Sequence, residues 1–140
     1  MRSDRLTSRG LTAALANLAA DVRRRHGLDI RLSFADEPDV PATTKDGLVL
    51  ISREALHNVV KHARADRVDI VLDVLAGETV LLITDDGHGF DAAMPRPGHF
   101  GLKSMRERAA TVGGTLELVS VLGGGTQIRT CITVRSERHG

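Results

Sequence analysis

The sequence predicts an α+β protein: a two-layer sandwich with a mixed five-stranded sheet and three helices on one face. Three observations predict it. The periodicities follow the order α-β-α-β-β-loop-α-β-β along the chain. Two pairs of strand segments are joined by short glycine-containing turns, so each pair must be antiparallel. Strict β-α alternation, the mark of a doubly wound sheet, is missing.

Met1 to Gly10 is a polar, basic lead-in. The domain runs from residue 11 to 135, and residues 136–140 form a tail. Leu11, Leu15, Leu18, Ala19 and Val22 recur at helical spacing. That helix closes on Arg23, Arg24 and Arg25, with Gly27 placed for a left-handed cap. Leu28 to Phe34 alternates as a strand does. After an acidic, proline-containing loop, Thr43 or Thr44 can cap a second helix running to about Ala63. Val68–Leu75 and Thr79–Thr84 make a hairpin, and Leu102–Val112 a third helix stopped by Gly113-Gly114. Thr115–Val121 and Thr126–Val134 make a last hairpin across Leu122 to Gly125.

Composition narrows the function. The 140 residues are 41% hydrophobic and 26% charged, an ordinary globular balance that can bury a core. A net charge of +1 gives no global pull toward nucleic acid or a membrane surface. Three Phe and no Trp or Tyr argue against a stacking platform for single strands. The lone Cys131 excludes a disulfide framework and a cysteine-rich zinc site. With no apolar run of membrane-spanning length and no signal peptide, the chain as given is expected to be cytoplasmic. A full-length protein carrying it can still be membrane-anchored.

Four segments carry chemistry. Asp85-Asp86-Gly87-His88-Gly89-Phe90 follows an apolar strand and reads D-x-G-x-G. A carboxylate at a strand end can accept from an exocyclic amine, and Gly87 and Gly89 remove side chains that would block a flat ring. The same letters also serve a plain turn. On the second helix, Glu54 and Asn58 stand i and i+4, and Lys61 and His62 extend the stripe. A solvated face reads the same way. The residue types say more: an Asn amide oxygen suits Mg²⁺, Glu can act as a base, and Lys can balance phosphate charge. Gly98, Gly101 and Leu102 precede the third helix, where bare N–H groups and the helix dipole attract anions. The stretch before them is long enough to fold over a ligand as a lid. Finally, Gly123-Gly124-Gly125-Thr126 has more glycine than a hairpin needs, and Thr126 can reach the ring bound at Asp85.

Together these segments resemble the ATP-binding catalytic domain of two-component sensor histidine kinases, within the superfamily of DNA gyrase, the mismatch-repair ATPases and the ninety-kilodalton chaperones. The resemblance covers Leu11 to Val134. Arg53 to Ala63 is similar to the family's asparagine box, Asp85 to Phe90 to its first glycine box, and Gly98 to Ala109 to its second. The G-L-x-x-M-R-E-R-A run resembles the subfamily paired with helix-turn-helix response regulators.

The resemblance implies a Bergerat-type fold and a set of roles. Asp85 would accept from the adenine amino group, with Thr126 supporting it through water. Gly87 and Gly89 would admit the base and ribose. Asn58 would bind Mg²⁺, and Glu54 would be the catalytic base or water-orienter. Lys61 and His62 would face phosphate. Gly98, Gly101 and Leu102 would form the lid hinge. The implied reaction moves the γ-phosphoryl group of ATP to a histidine on a separate dimerisation domain, for relay to a response regulator. No nucleic acid and no direct membrane contact are implied. Met1 to Gly10 holds no acceptor histidine, so this chain is expected to bind ATP without phosphorylating itself. A short lid, Phe90 to Gly98, implies weak binding. The alternatives are an anti-sigma-type serine kinase of the same superfamily and a non-catalytic ATP sensor.

Overall fold

The structure is a computed structural model that describes residues 9–88 and 101–133, with the backbone alone at His62 and Ala63. The elements are α1 (Leu11–His26), β1 (Asp29–Phe34), α2 (Ala42–Asn58), a π turn (Val59–Ala63), β2 (Arg67–Leu75), β3 (Glu78–Asp85), α3 (Leu102–Thr111), β4 (Gly114–Val121) and β5 (Gly125–Thr133). The strands form one sheet in the order β1-β2-β3-β5-β4. β1 runs parallel to β2, and every other neighbouring pair is antiparallel. The expected mixed sheet with helices on one face is thus the observed one.

The core lies between the layers. An isolated helix as short as α1 is marginal in water, so burial has to hold it. Leu11, Leu15 and Ala19 of α1 are fully buried, as are Leu48 and Ile51 of α2 and Ala109 of α3. They meet Val68, Ile70, Leu81 and Ile83 from the core face of the sheet. At about 1.5–3 kcal/mol for each fully buried large aliphatic side chain, these contacts outweigh every surface ion pair below. α2 packs against α1, α3 and β3, which makes it the central helix.

The ends of the helices differ in how they are closed. Gly27 adopts φ 68° and returns its N–H to the Arg23 carbonyl at 2.9 Å, as the sequence predicts. The start of α1 is closed from a distance. Gly10 brings no side chain, and the Glu37 carboxylate accepts from Leu11 N at 2.6 Å and Thr12 N at 2.9 Å. Lys45 holds the same carboxylate at 2.8 Å. Burial pushes the Glu37 pKa up, but Lys45 and the Thr12 and Leu11 donors outweigh it and bring it to about 2.

α2 corrects the expected cap. The N-cap is Pro41, with no side-chain hydrogen bond, and Thr44 is a buried helix residue whose N–H reaches the Pro41 carbonyl at 3.0 Å. Pro41 carries no side-chain acceptor, so the first turn is closed by its backbone carbonyl. The far end departs from a simple helix too: after Asn58 the chain widens into the π turn and ends on Arg64 in the left-handed region, φ 51°. Among the described residues no helix is long and apolar enough to cross a membrane.

Candidate functional site

The sheet register sets Ser120, Thr126, Asp85, Val68 and Ile30 side by side in one row across the core face. The next row, Ile70, Ile83 and Ile128, is apolar; this one turns polar from β3 through β5 to β4. Asp85 ends β3 and is buried, 8% exposed. Burial raises its pKa above the usual carboxylate value, with the nearby Asp86 charge adding to the rise. The backbone N–H groups of Gly87 and Thr126 pull it the other way. Gly87 N donates to Asp85 Oδ1 at 2.8 Å. A carboxylate has about four acceptor positions, so these two donors leave capacity for a ligand.

Two glycines hold the closing turn against this strand end. Gly125 adopts φ 82°, and a Cβ there would lie 2.2 Å from the Asp85 carbonyl oxygen. No side chain fits, which makes Gly125 a residue the site requires. Gly123 N donates to the His88 carbonyl at 2.5 Å, tying the turn to the D-x-G segment. The sequence shows the excess of glycine but does not single out Gly125. The signal was there: a hairpin turn alone does not need three glycines in a row.

The neighbouring Asp86 has a different task. Its Oδ1 accepts from Asp66 N at 2.9 Å and Arg67 N at 3.0 Å, pinning the start of β2. The Arg67 N–H lowers its pKa most. One aspartate of the pair is therefore buried on the core face, and the other clamps the chain.

On the helical layer, the structure brings Glu54 to Gly101. Gly101 is the N-cap of α3 at φ 69°, and a Cβ there would lie 2.2 Å from Glu54 Oε2. The glycine makes room for the carboxylate. Leu102 packs its side chain partly into the core, so what it offers at the helix start is backbone. Asn58 sits one α turn beyond Glu54, at the last residue of α2. Lys61 leaves this stripe. A π turn encloses one more residue than an α turn, so positions after Asn58 fall behind the α-helical phase. Lys61 accordingly lines a groove of about 560 Å³ between α1 and α2, beside Arg53 and His57. Gly89, Gly98, the Phe90–Gly98 lid and the His62 side chain lie outside the described residues.

Residues 43–136 match the family described as histidine kinase-, DNA gyrase B- and HSP90-like ATPases. The sensor histidine kinase LiaS of Bacillus subtilis is 33% identical over the whole chain, which spans 39% of that protein. A blue-light activated histidine kinase of Erythrobacter litoralis superposes with a TM-score of 0.77 at 25% identity, over 91% of this chain and 43% of its own. The ATP binding domain of PrrB from Mycobacterium tuberculosis shares the fold, with a TM-score of 0.75 at 24% identity, over 91% of this chain and 96% of its own. The chain spans about two fifths of the length of the curated relatives it matches. The buried acceptor ending β3, the glycine turn locked against it and the carboxylate at the start of α3 are thus features of a member of the histidine kinase-, gyrase B- and HSP90-like ATPase family.

Proposed function

We propose that this domain is the ATP-binding catalytic module of a sensor histidine kinase. The observation that carries the reading is Asp85: a buried carboxylate with acceptor capacity, at a strand end where no side chain on Gly125 can intrude. Such a group recognises a donor, and the exocyclic amine of adenine is the donor that ATP supplies. Thr126 is its direct neighbour in the row and supports the same edge of the base.

Glu54 acts on the reacting end. The P–O bond between the γ- and β-phosphates breaks, a P–N bond forms to an acceptor imidazole, and Glu54 takes the proton that the imidazole nitrogen loses. ADP leaves with the bridging oxygen. Positioning and charge neutralisation supply most of the rate in such transfers. Asn58 offers one neutral oxygen suited to Mg²⁺. Among the described residues no group of three or more His, Cys, Asp or Glu is arranged to hold a metal. Asn58 would hold the ion, which when bound would neutralise phosphate charge. His62 faces phosphate in this reading, Lys61 stays on the α1–α2 groove and takes no part in it, and Gly87, Gly89, Gly98, Gly101 and Leu102 shape the pocket and its lid.

The acceptor is a histidine-bearing dimerisation domain of the same kinase, and a response regulator receives the phosphoryl group next. The module works in the cytoplasm, in a full-length protein that can be membrane-anchored. The test mixes this domain with a histidine-bearing dimerisation domain and γ-labelled ATP. Acid-labile, base-stable label on the acceptor is the expected result. Acid-stable label on serine, or ATP binding with no transfer, contradicts it.

A further inference from the structure

Ser120 stands next to Thr126 in the row that holds Asp85, one strand further out. Its Oγ lies 2.7 Å from Thr126 Oγ1 and 3.3 Å from the Gly125 carbonyl oxygen. A serine hydroxyl has one proton to give, and a carbonyl can only accept. The arrangement that satisfies both contacts is therefore directional: Ser120 donates to Gly125, and Thr126 donates to Ser120. The Thr126 oxygen is then left as an acceptor on its pocket side. Thr126 is partly exposed.

We propose that Ser120 is a specificity-determining residue, which fixes the Thr126 hydroxyl as an acceptor beside Asp85 and so selects a 6-amino purine over a 6-oxo purine. The proposal rests on the nucleotide-binding reading above. Asp85 alone does not complete this selection. A 6-oxo purine carries an N1–H that a carboxylate can still accept. What it cannot satisfy is a second acceptor facing its own 6-oxygen, because two lone pairs then meet with no proton between them. A Thr126 hydroxyl free to rotate would turn its proton toward that oxygen and accommodate it. Ser120, which touches neither base nor phosphate in this account, removes that freedom.

The test compares dissociation constants for ADP and inosine diphosphate, which share ribose and phosphates and differ at the 6-position edge. The wild-type domain should prefer ADP. Ser120→Ala should narrow the preference about three- to tenfold, the worth of one hydrogen bond, mainly by improving inosine diphosphate binding relative to ADP. Ser120→Thr keeps the hydroxyl and should keep the ratio. Thr126→Val should narrow the ratio as well, and adding Ser120→Ala to it should change the ratio no further. An equal loss for both nucleotides in Ser120→Ala marks a structural role and overturns the proposal. So does a ratio unchanged by Thr126→Val, a result that needs no Ser120 variant to fold. A wild-type domain with no preference for ADP overturns the nucleotide-binding reading itself, a failure distinct from the other two.

Discussion

The Glu54 carboxylate occupies the space that a side chain on Gly101 would need. A Cβ at position 101 would lie 2.2 Å from Glu54 Oε2, 2.7 Å from Cδ and 2.9 Å from Cγ. A side chain at the start of α3 would thus have to displace the end of the Glu54 side chain, and the left-handed φ of 69° favours glycine there independently of any bound anion. The contact also places a negative charge at the positive end of a helix.

Gly101→Ala should therefore act twice. The left-handed backbone, φ 69°, costs an alanine about 1–2 kcal/mol of stability. The added methyl also drives Glu54 from its place. Thermal unfolding should show the first effect. Single-turnover phosphotransfer to an added acceptor domain should show the second, as a fall in rate larger than any change in ATP affinity.

Asp85→Asn should trade function for stability. Burial raises the folded pKa of Asp85 above 3.8. A raised carboxylate pKa means the folded state holds its proton longer than the unfolded chain does. This group's contribution is thus most favourable below pH 3.8 and is lost as pH rises through the folded pKa. At neutral pH the ionised Asp85 weighs against the empty fold. The variant, neutral at all pH, should melt higher than wild type without nucleotide at pH 7, while adenine-nucleotide binding is lost. Differential scanning fluorimetry with and without ATP reads both.

Glu37→Gln should destabilise the domain, far from the site. Glu37 titrates near 2, down from 4.5, because Lys45 and the α1 donors outweigh its burial. Its contribution is present above pH 4.5 and is lost as pH falls through about 2. With the side chain 34% exposed, solvent screening reduces the linkage value to about 1–2 kcal/mol. Urea melts at pH 7 and pH 2 check it: the gap between wild type and variant should close in acid.

The sequence carried the sheet and the helices because their periodicities are local. Leu11, Leu15 and Ala19 repeat at helical spacing, and Gly27 announces its own cap. What stayed hidden were pairings across the chain. The parallel β1–β2 register brings Asp29 to Arg67 with all of α2 between them. The cap on α1 comes from Glu37, 26 residues past the Leu11 donor it serves, and no local motif marks it. Asp85 and Asp86 look alike in sequence; only the fold buries one and leaves the other clamping Arg67. Lys61 leaves the expected stripe because a π turn has no signature in apolar spacing.

Ala76→Asn should stabilise the domain without touching function. Ala76 and Gly77 close the β2–β3 hairpin with φ 47° and 82°, the pair of positive angles a type I′ turn demands. Alanine resists that region, whereas asparagine tolerates it, so a gain of about 0.5–1 kcal/mol is expected. Chemical denaturation checks the gain, and unchanged ATP affinity checks the neutrality.

Titration of the purified domain with ATP and GTP, each with and without Mg²⁺, tests the central claim most directly. Saturable binding of ATP, strengthened by Mg²⁺ and much weaker for GTP, is the predicted result. Equal affinity for the two bases, or no binding of either, would contradict it.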